Sequence, residues 1–188
     1  MKSLSLSKPH VIIIVGIPGS GKTFFAEKFA DTFNAPYVHY DKILTLVGDG
    51  AKATELTQLQ LSELLKTKQS IVVDGMAHTR LQRVELAKSA RVAGYETLLV
   101  WVQTDPATAR ARVTKDKNRT PEDTDKAEQS FAPPIAVEKP VVISGKHTYA
   151  SQAKVVLKKL SSPRAQISTH TTPPARASEP GRRNITIR

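Results

Sequence analysis

The stretch Gly16-Ile17-Pro18-Gly19-Ser20-Gly21-Lys22-Thr23 fits G-x-x-x-x-G-K-[ST], the P-loop pattern. Its glycines let the backbone turn N–H groups inward around an anion, and a helix that starts at its end adds a positive dipole terminus. Such a nest suits the α- and β-phosphates of a nucleotide. Lys22 can reach the β- and γ-phosphates as a mobile charge, while the Thr23 hydroxyl is placed to coordinate Mg²⁺. The expected nucleotide-binding residues are Gly16, Pro18, Gly19, Ser20, Gly21, Lys22, Thr23 and Phe24, with Lys22 also acting in catalysis. A glycine-rich turn carrying a solvated lysine is the alternative. The complete eight-residue match, set between an apolar run and an amphipathic one, argues against it.

Transfer of a phosphoryl group also needs a carboxylate near the γ-phosphate, to orient the attacking hydroxyl and take its proton. Asp41, in Tyr40-Asp41-Lys42 just after a short apolar stretch, stands where the end of a neighbouring strand would place one. Its alternative role is a helix N-cap before "KILTLV". Asp74 closes the apolar run "SIVVDG" as a Walker B-type acid does, where it would hold Mg²⁺ through water or orient a hydroxyl. The alternative is a turn aspartate before Gly75. Arg80 and Arg83, three apart on one helical face, read as an acceptor-phosphate site or as a solvated basic face. His39, His78 and His147 have no metal-ligand spacing and read as loop or site-lining residues. Trp101, inside an apolar run, reads as core, and Asp105 before Pro106 as a helix cap.

These groups need elements that bring them to one place. "HVIIIV" is a β-branched strand, and Phe25, Phe29 and Phe33 mark the helix after the loop. A short strand follows around Pro36 to His39. Next comes a polar, helical region whose leucines 56, 59, 61, 64 and 65 suit a helix face. "SIVVDG" is the third strand, Thr79 to Ala93 a helix stopped by Gly94, and "TLLVWVQT" the fourth strand. A helix through "ATARARVTK", a charged loop, a short helix at "DTDKAEQSF", the strand "PVVIS" and a closing helix "YASQAKVVLKKL" complete the order. Strands apolar on both faces that alternate with helices imply a parallel sheet covered on both sides, an α/β fold.

The chain has 188 residues, no cysteine, 39% hydrophobic residues and a formal net charge of +11. That suits one domain over residues 1–162 with a reducing, cytoplasmic setting, and leaves neither disulfides nor thiolate metal sites available. No run is long enough to span a bilayer, and "MKSLSLSKPH" carries no signal-peptide pattern. Residues 163–188 hold five arginines against one acid, a net of +4, among Pro, Ser and Thr. A tail so poor in large apolar residues is expected to be disordered, serving as an arm for a polyanion or as a solvated extension.

The P-loop, "HYDKIL", "IVVDG", "ARVAGYETLLVWVQTDPATARARV" and "FAPP" together resemble the AAA-domain P-loop kinases related to polynucleotide kinase and zeta toxin, over about residues 10 to 160. The resemblance implies a P-loop NTPase three-layer sandwich with a five-stranded sheet of order 2-3-1-4-5. It also implies an ATP site at the carboxyl ends of the strands and a basic lid. In the resembled kinases an acidic residue after the second strand handles the acceptor hydroxyl, and Asp41 matches it. The family pattern has an arginine soon after that acid, where this chain offers only Lys42. The lid position carries Arg110, Arg112, Lys115, Lys117 and Arg119, of which Arg112 and Arg119 are the chosen catalytic cations. The implied activity is ATP- and Mg²⁺-dependent phosphoryl transfer to a hydroxyl of a small molecule or a nucleic-acid 5′ end. A nucleotide-binding NTPase or switch with a nucleic-acid or protein partner, and a zeta-toxin-like nucleotide-sugar kinase, are the alternatives.

Overall fold

A computed structural model describes residues 6–114 and 121–161. Five parallel strands lie in the order β2-β3-β1-β4-β5: β1 (His10–Val15), β2 (Tyr37–His39), β3 (Ile71–Asp74), β4 (Glu96–Gln103) and β5 (Val141–Ser144). The helices are α1 (Lys22–Phe33), α2 (Tyr40–Val47), α3 (Gly50–Lys66), α4 (Arg80–Val92), α5 (Pro106–Val113), α6 (Pro121–Ser130) and α7 (Tyr149–Ser161). This is the α/β sandwich and strand order expected from the sequence.

The unbroken apolar character of β1 follows from its central place, since both faces of the sheet are covered there. Ile12 and Ile14 join Phe25 and Phe29 of α1 and Val156 and Leu160 of α7. Val11, Ile13 and Val15 join Leu61 and Leu65 of α3 and Leu86 and Ala90 of α4 on the other side. Burial on this scale is what holds α1, and with it the P-loop, in fixed register with the strand ends.

Local signals set the helix limits. Thr79 caps α4, accepting from the Gln82 amide while the Gln82 side chain accepts from the Thr79 amide. Asp105 caps α5 through the Thr108 amide, with Pro106 at the first helical position. The leucine face of α3 needs correction. Its buried stripe is Ala53, Thr57, Leu61 and Leu65, spaced by four, whereas Leu56 and Leu59 are exposed. At 3.6 residues per turn, positions 56 and 59 point away from that stripe. The tail and the lid residues Lys115, Lys117 and Arg119 lie outside the described residues.

Candidate functional site

Parallel strands that all end on one edge bring their following loops together, and β1 sits between β3 and β4 on that edge. The P-loop leaves β1 at Gly16 and enters α1 at Lys22. The N-cap of α1 is Gly21, which has no side chain to satisfy the first N–H groups, and the first turn carries no acid. By contrast, α3, α4 and α5 are capped by Asp49, Thr79 and Asp105. The amino end of α1 therefore offers free donors and a positive dipole to an anion.

Two glycines allow neighbouring elements to close on the loop. A Cβ on Gly19, at φ 74°, would meet the Ala109 carbonyl oxygen at 2.1 Å, so α5 rests directly on the P-loop. A Cβ on Gly145 would meet the Ser20 carbonyl oxygen at 2.0 Å, so the β5–α7 loop does the same. Arg112 ties the three together, its guanidinium donating to the carbonyls of Gly19 at 3.3 Å and Gly145 at 3.2 Å. Arg110 is paired with Glu128 at 2.9 Å. Ser20 is fully buried, with an Oγ that has no hydrogen-bond partner. Lys22, only 7% exposed, lines a small pocket with Gly16, Gly75, Ala77 and His78. Phe24 is 56% exposed beyond the loop, its ring beneath the Lys28 ammonium at 4.9 Å.

Asp74 is 1% exposed, at the register position between His39 of β2 and Ile14 of β1. Its Oδ2 accepts from Thr23 Oγ1 at 2.7 Å and from the Tyr37 hydroxyl at 3.3 Å, with His39 Nε2 at 3.9 Å. Its Oδ1 is buried with no partner. A carboxylate oxygen left bare in the interior is costly, so Oδ1 is a free acceptor aimed at a ligand. Thr23 Oγ1 and Asp74 are a hard-oxygen set of the kind Mg²⁺ takes, and the orphaned Oδ1 fits a metal-bound water. Burial, then the Asp74 charge, pushes the Tyr37 hydroxyl far above the ordinary tyrosine range, so it stays a donor to Asp74.

Asp41 lies in the first turn of α2, whose N-cap is His39, so the N-cap alternative fails. Asp41 is half-buried, and its charge, with that of Glu27, acts on the Tyr37 hydroxyl. Asp74 closes β3 and contacts Thr23, while the half-buried Asp41 follows β2, the strand next to β3, at the same end of the sheet.

The family model for the AAA domain matches residues 11–134. The chain belongs to the AAA-domain family. Its fold as an AAA-domain protein is that of the P-loop kinases. It aligns with the Mycobacterium tuberculosis APS kinase CysC in complex with AMPPNP and APS at TM-score 0.63 and 15% identity, covering 82% of this chain and 99% of that one. With Chaetomium thermophilum Kti12 in complex with ADP-AlF3 the TM-score is 0.66 at 14% identity, covering 79% and 96%. The signal recognition particle receptor FtsY of Agrobacterium fabrum is 31% identical over 88 residues, 44% of this chain. The AAA-domain chain spans only 18% of that receptor's length. No described helix is long and apolar enough to cross a membrane.

Within this AAA domain, the P-loop residues, Asp41 and Asp74 gather at one edge, and Arg112 joins them from α5. Arg83 does not. It is 3% exposed, paired with Glu138 at 2.7 and 3.0 Å, and donates to the carbonyls of Ala77, His78 and Ala132. Neither an acceptor-phosphate site nor a solvated face describes it. Arg83 pins the loop after Phe131 to the β3–α4 connection, and Arg80 alone of the two is exposed. Sequence reasoning missed Tyr37 as a partner of Asp74. Aromatic residues at alternate positions of the strand beside a Walker B-type strand were the available signal.

Proposed function

We propose that this chain is an ATP-dependent kinase that transfers the γ-phosphoryl group to a hydroxyl of a small molecule or of a nucleic-acid 5′ end. The observation that carries the reading is Asp41. It follows β2 directly, and β2 pairs with β3, so this half-buried carboxylate stands at the same strand ends as the Thr23–Asp74 pair, whereas Asp74 itself is buried and shielded from an acceptor.

The nest formed by Gly16, Pro18, Gly19, Ser20, Gly21 and Lys22, with the amides of Thr23 and Phe24, would hold the ATP phosphates. Lys22 would place positive charge on the migrating group in a site screened from water. Thr23 and Asp74 would hold Mg²⁺, which supplies charge neutralisation for the phosphates. Asp41 orients the acceptor hydroxyl and receives its proton. The acceptor oxygen then bonds to the γ-phosphorus as the bridging oxygen leaves with ADP. Arg112 bridges the P-loop to the β5–α7 loop and would add charge from the α5 side, as would Arg119 from the lid. We assign the activity to the cytoplasm, where ATP and Mg²⁺ are abundant.

A screen with labelled ATP across 5′-hydroxyl oligonucleotides, nucleosides and sugars tests this. Transfer should depend on one acceptor class and fall at least about 10²-fold in a folded Lys22→Ala variant. ATP loss that no acceptor stimulates would favour the NTPase or switch reading instead.

A further inference from the structure

The β4–β5 pair carries a cleft of about 550 Å³, a size suited to a small organic ligand. Trp101 is in register with Val142 and Gln103 with Ser144, so these four side chains share one face of the sheet, and all line the cleft. Phe131 and Pro133, from the loop before β5, line it as well. That loop is fixed by the Ala132 amide, which donates to the His78 carbonyl at 2.9 Å, and by the Arg83 contacts described above.

The cleft lies beside the phosphate site. Ile17 lines it, while Gly16, one residue earlier, lines the pocket of Lys22. A ligand in the cleft therefore ends within reach of the P-loop.

Its chemistry selects a class. Two aromatic side chains offer flat apolar surface, and Gln103, Thr104 and Ser144 offer neutral donors and acceptors. Among the described residues the lining cation is Lys146, which holds Asp105 at 2.5 Å, and that contact pulls the Asp105 carboxyl below its ordinary range. A planar neutral ring with polar edges matches the walls.

We propose that this cleft binds the aromatic base of a nucleoside. That the nucleoside is the phosphoryl acceptor rests on the kinase reading. Trp101, the single tryptophan of the chain, reports on the cleft directly. The protein is first saturated with AMPPNP and Mg²⁺, then titrated with adenosine, guanosine, cytidine, uridine, ribose and gluconate while Trp101 emission is followed. At least one nucleoside should quench saturably, and ribose and gluconate should not. Phe131→Leu, which keeps apolar volume but removes the ring, and Gln103→Leu, which removes the polar edge, should each weaken that nucleoside by about tenfold.

A response to AMPPNP with none to any nucleoside would overturn the proposal, making the cleft the donor's base pocket. Unchanged nucleoside affinity in both variants would overturn it too. Quenching by a nucleoside that accepts no phosphoryl group keeps the base site and overturns its role as acceptor site. Phosphoryl transfer to ribose or gluconate, with Trp101 silent toward nucleosides, overturns the base site and leaves the kinase reading standing.

Discussion

Thr23 Oγ1 donates to Asp74 Oδ2 at 2.7 Å, joining the first turn of the P-loop helix to the last residue of the strand beside it. The two residues are 51 positions apart and meet because β3 and β1 are parallel neighbours. Asp74→Asn keeps an acceptor for Thr23 and removes the charge. The Mg²⁺ concentration giving half-maximal nucleotide binding should rise about tenfold or more, with metal-free nucleotide affinity little changed. Titration of a fluorescent nucleotide at several Mg²⁺ concentrations measures this. A variant that loses thermal stability with unaltered Mg²⁺ dependence would show Asp74 to be only a turn residue.

Asp41→Asn separates chemistry from nucleotide binding. The carboxylate is assigned to the hydroxyl rather than to the phosphates, so transfer should fall by roughly 10²-fold while ATP affinity holds. Single-turnover transfer beside equilibrium ATP binding gives both numbers. Normal transfer in the variant removes Asp41 from the reaction.

The Arg83–Glu138 pair predicts a pH dependence. The Arg83 hydrogen bonds are the main cause that holds the Glu138 carboxyl below its ordinary value of 4.5. A carboxyl with a lowered folded pKa adds stability above its unfolded value, and that stability is lost as pH falls through the folded value. Arg83→Ala leaves Glu138 without its partner in a largely buried place, costing about 3–5 kcal/mol at neutral pH. The melting temperature should drop by roughly 10 °C at pH 7, and the gap to wild type should narrow as the pH falls below the ordinary carboxyl value of 4.5. Thermal melts from pH 7 to 3 check it, and a gap independent of pH would show that the charge pairing contributes little.

The strands and the P-loop were legible because each is written in a contiguous run, and the strand order came from the family resemblance. β1 and β3 are continuous apolar stretches, and Gly16 to Thr23 is a complete motif. Long-range pairing was not legible. Arg83 read as an acceptor-phosphate site or a solvated face because helical spacing shows only its own helix, while its partner Glu138 comes from a turn 55 residues later. Trp101 read as core because its strand is apolar throughout. It does pack on the core, yet it also lines a cleft to which Phe131 and Pro133, some 30 residues later, contribute. Tyr37 gains its meaning from the register that sets β2 beside β3.

The segment 163–188 gives the last prediction. Its five arginines against one glutamate attract polyanions over a Debye length, and it carries no aromatic residue on which a base could stack. Its contribution should be electrostatic and confined to the acceptor. The apolar stripe of α7, Ala153, Val156 and Leu160, is complete before residue 163, so deleting the segment should leave melting temperature and ATP affinity unchanged. With an oligonucleotide acceptor, the deletion should raise the apparent KM and flatten its dependence on salt, because fewer phosphate contacts release fewer counterions. With a free nucleoside it should change neither. Acceptor kinetics for the full and shortened chains at two salt concentrations separate these cases. Unfolding of the shortened chain would instead make "RRNITIR" a part of the domain, docked where its alternating residues can pair with a strand edge.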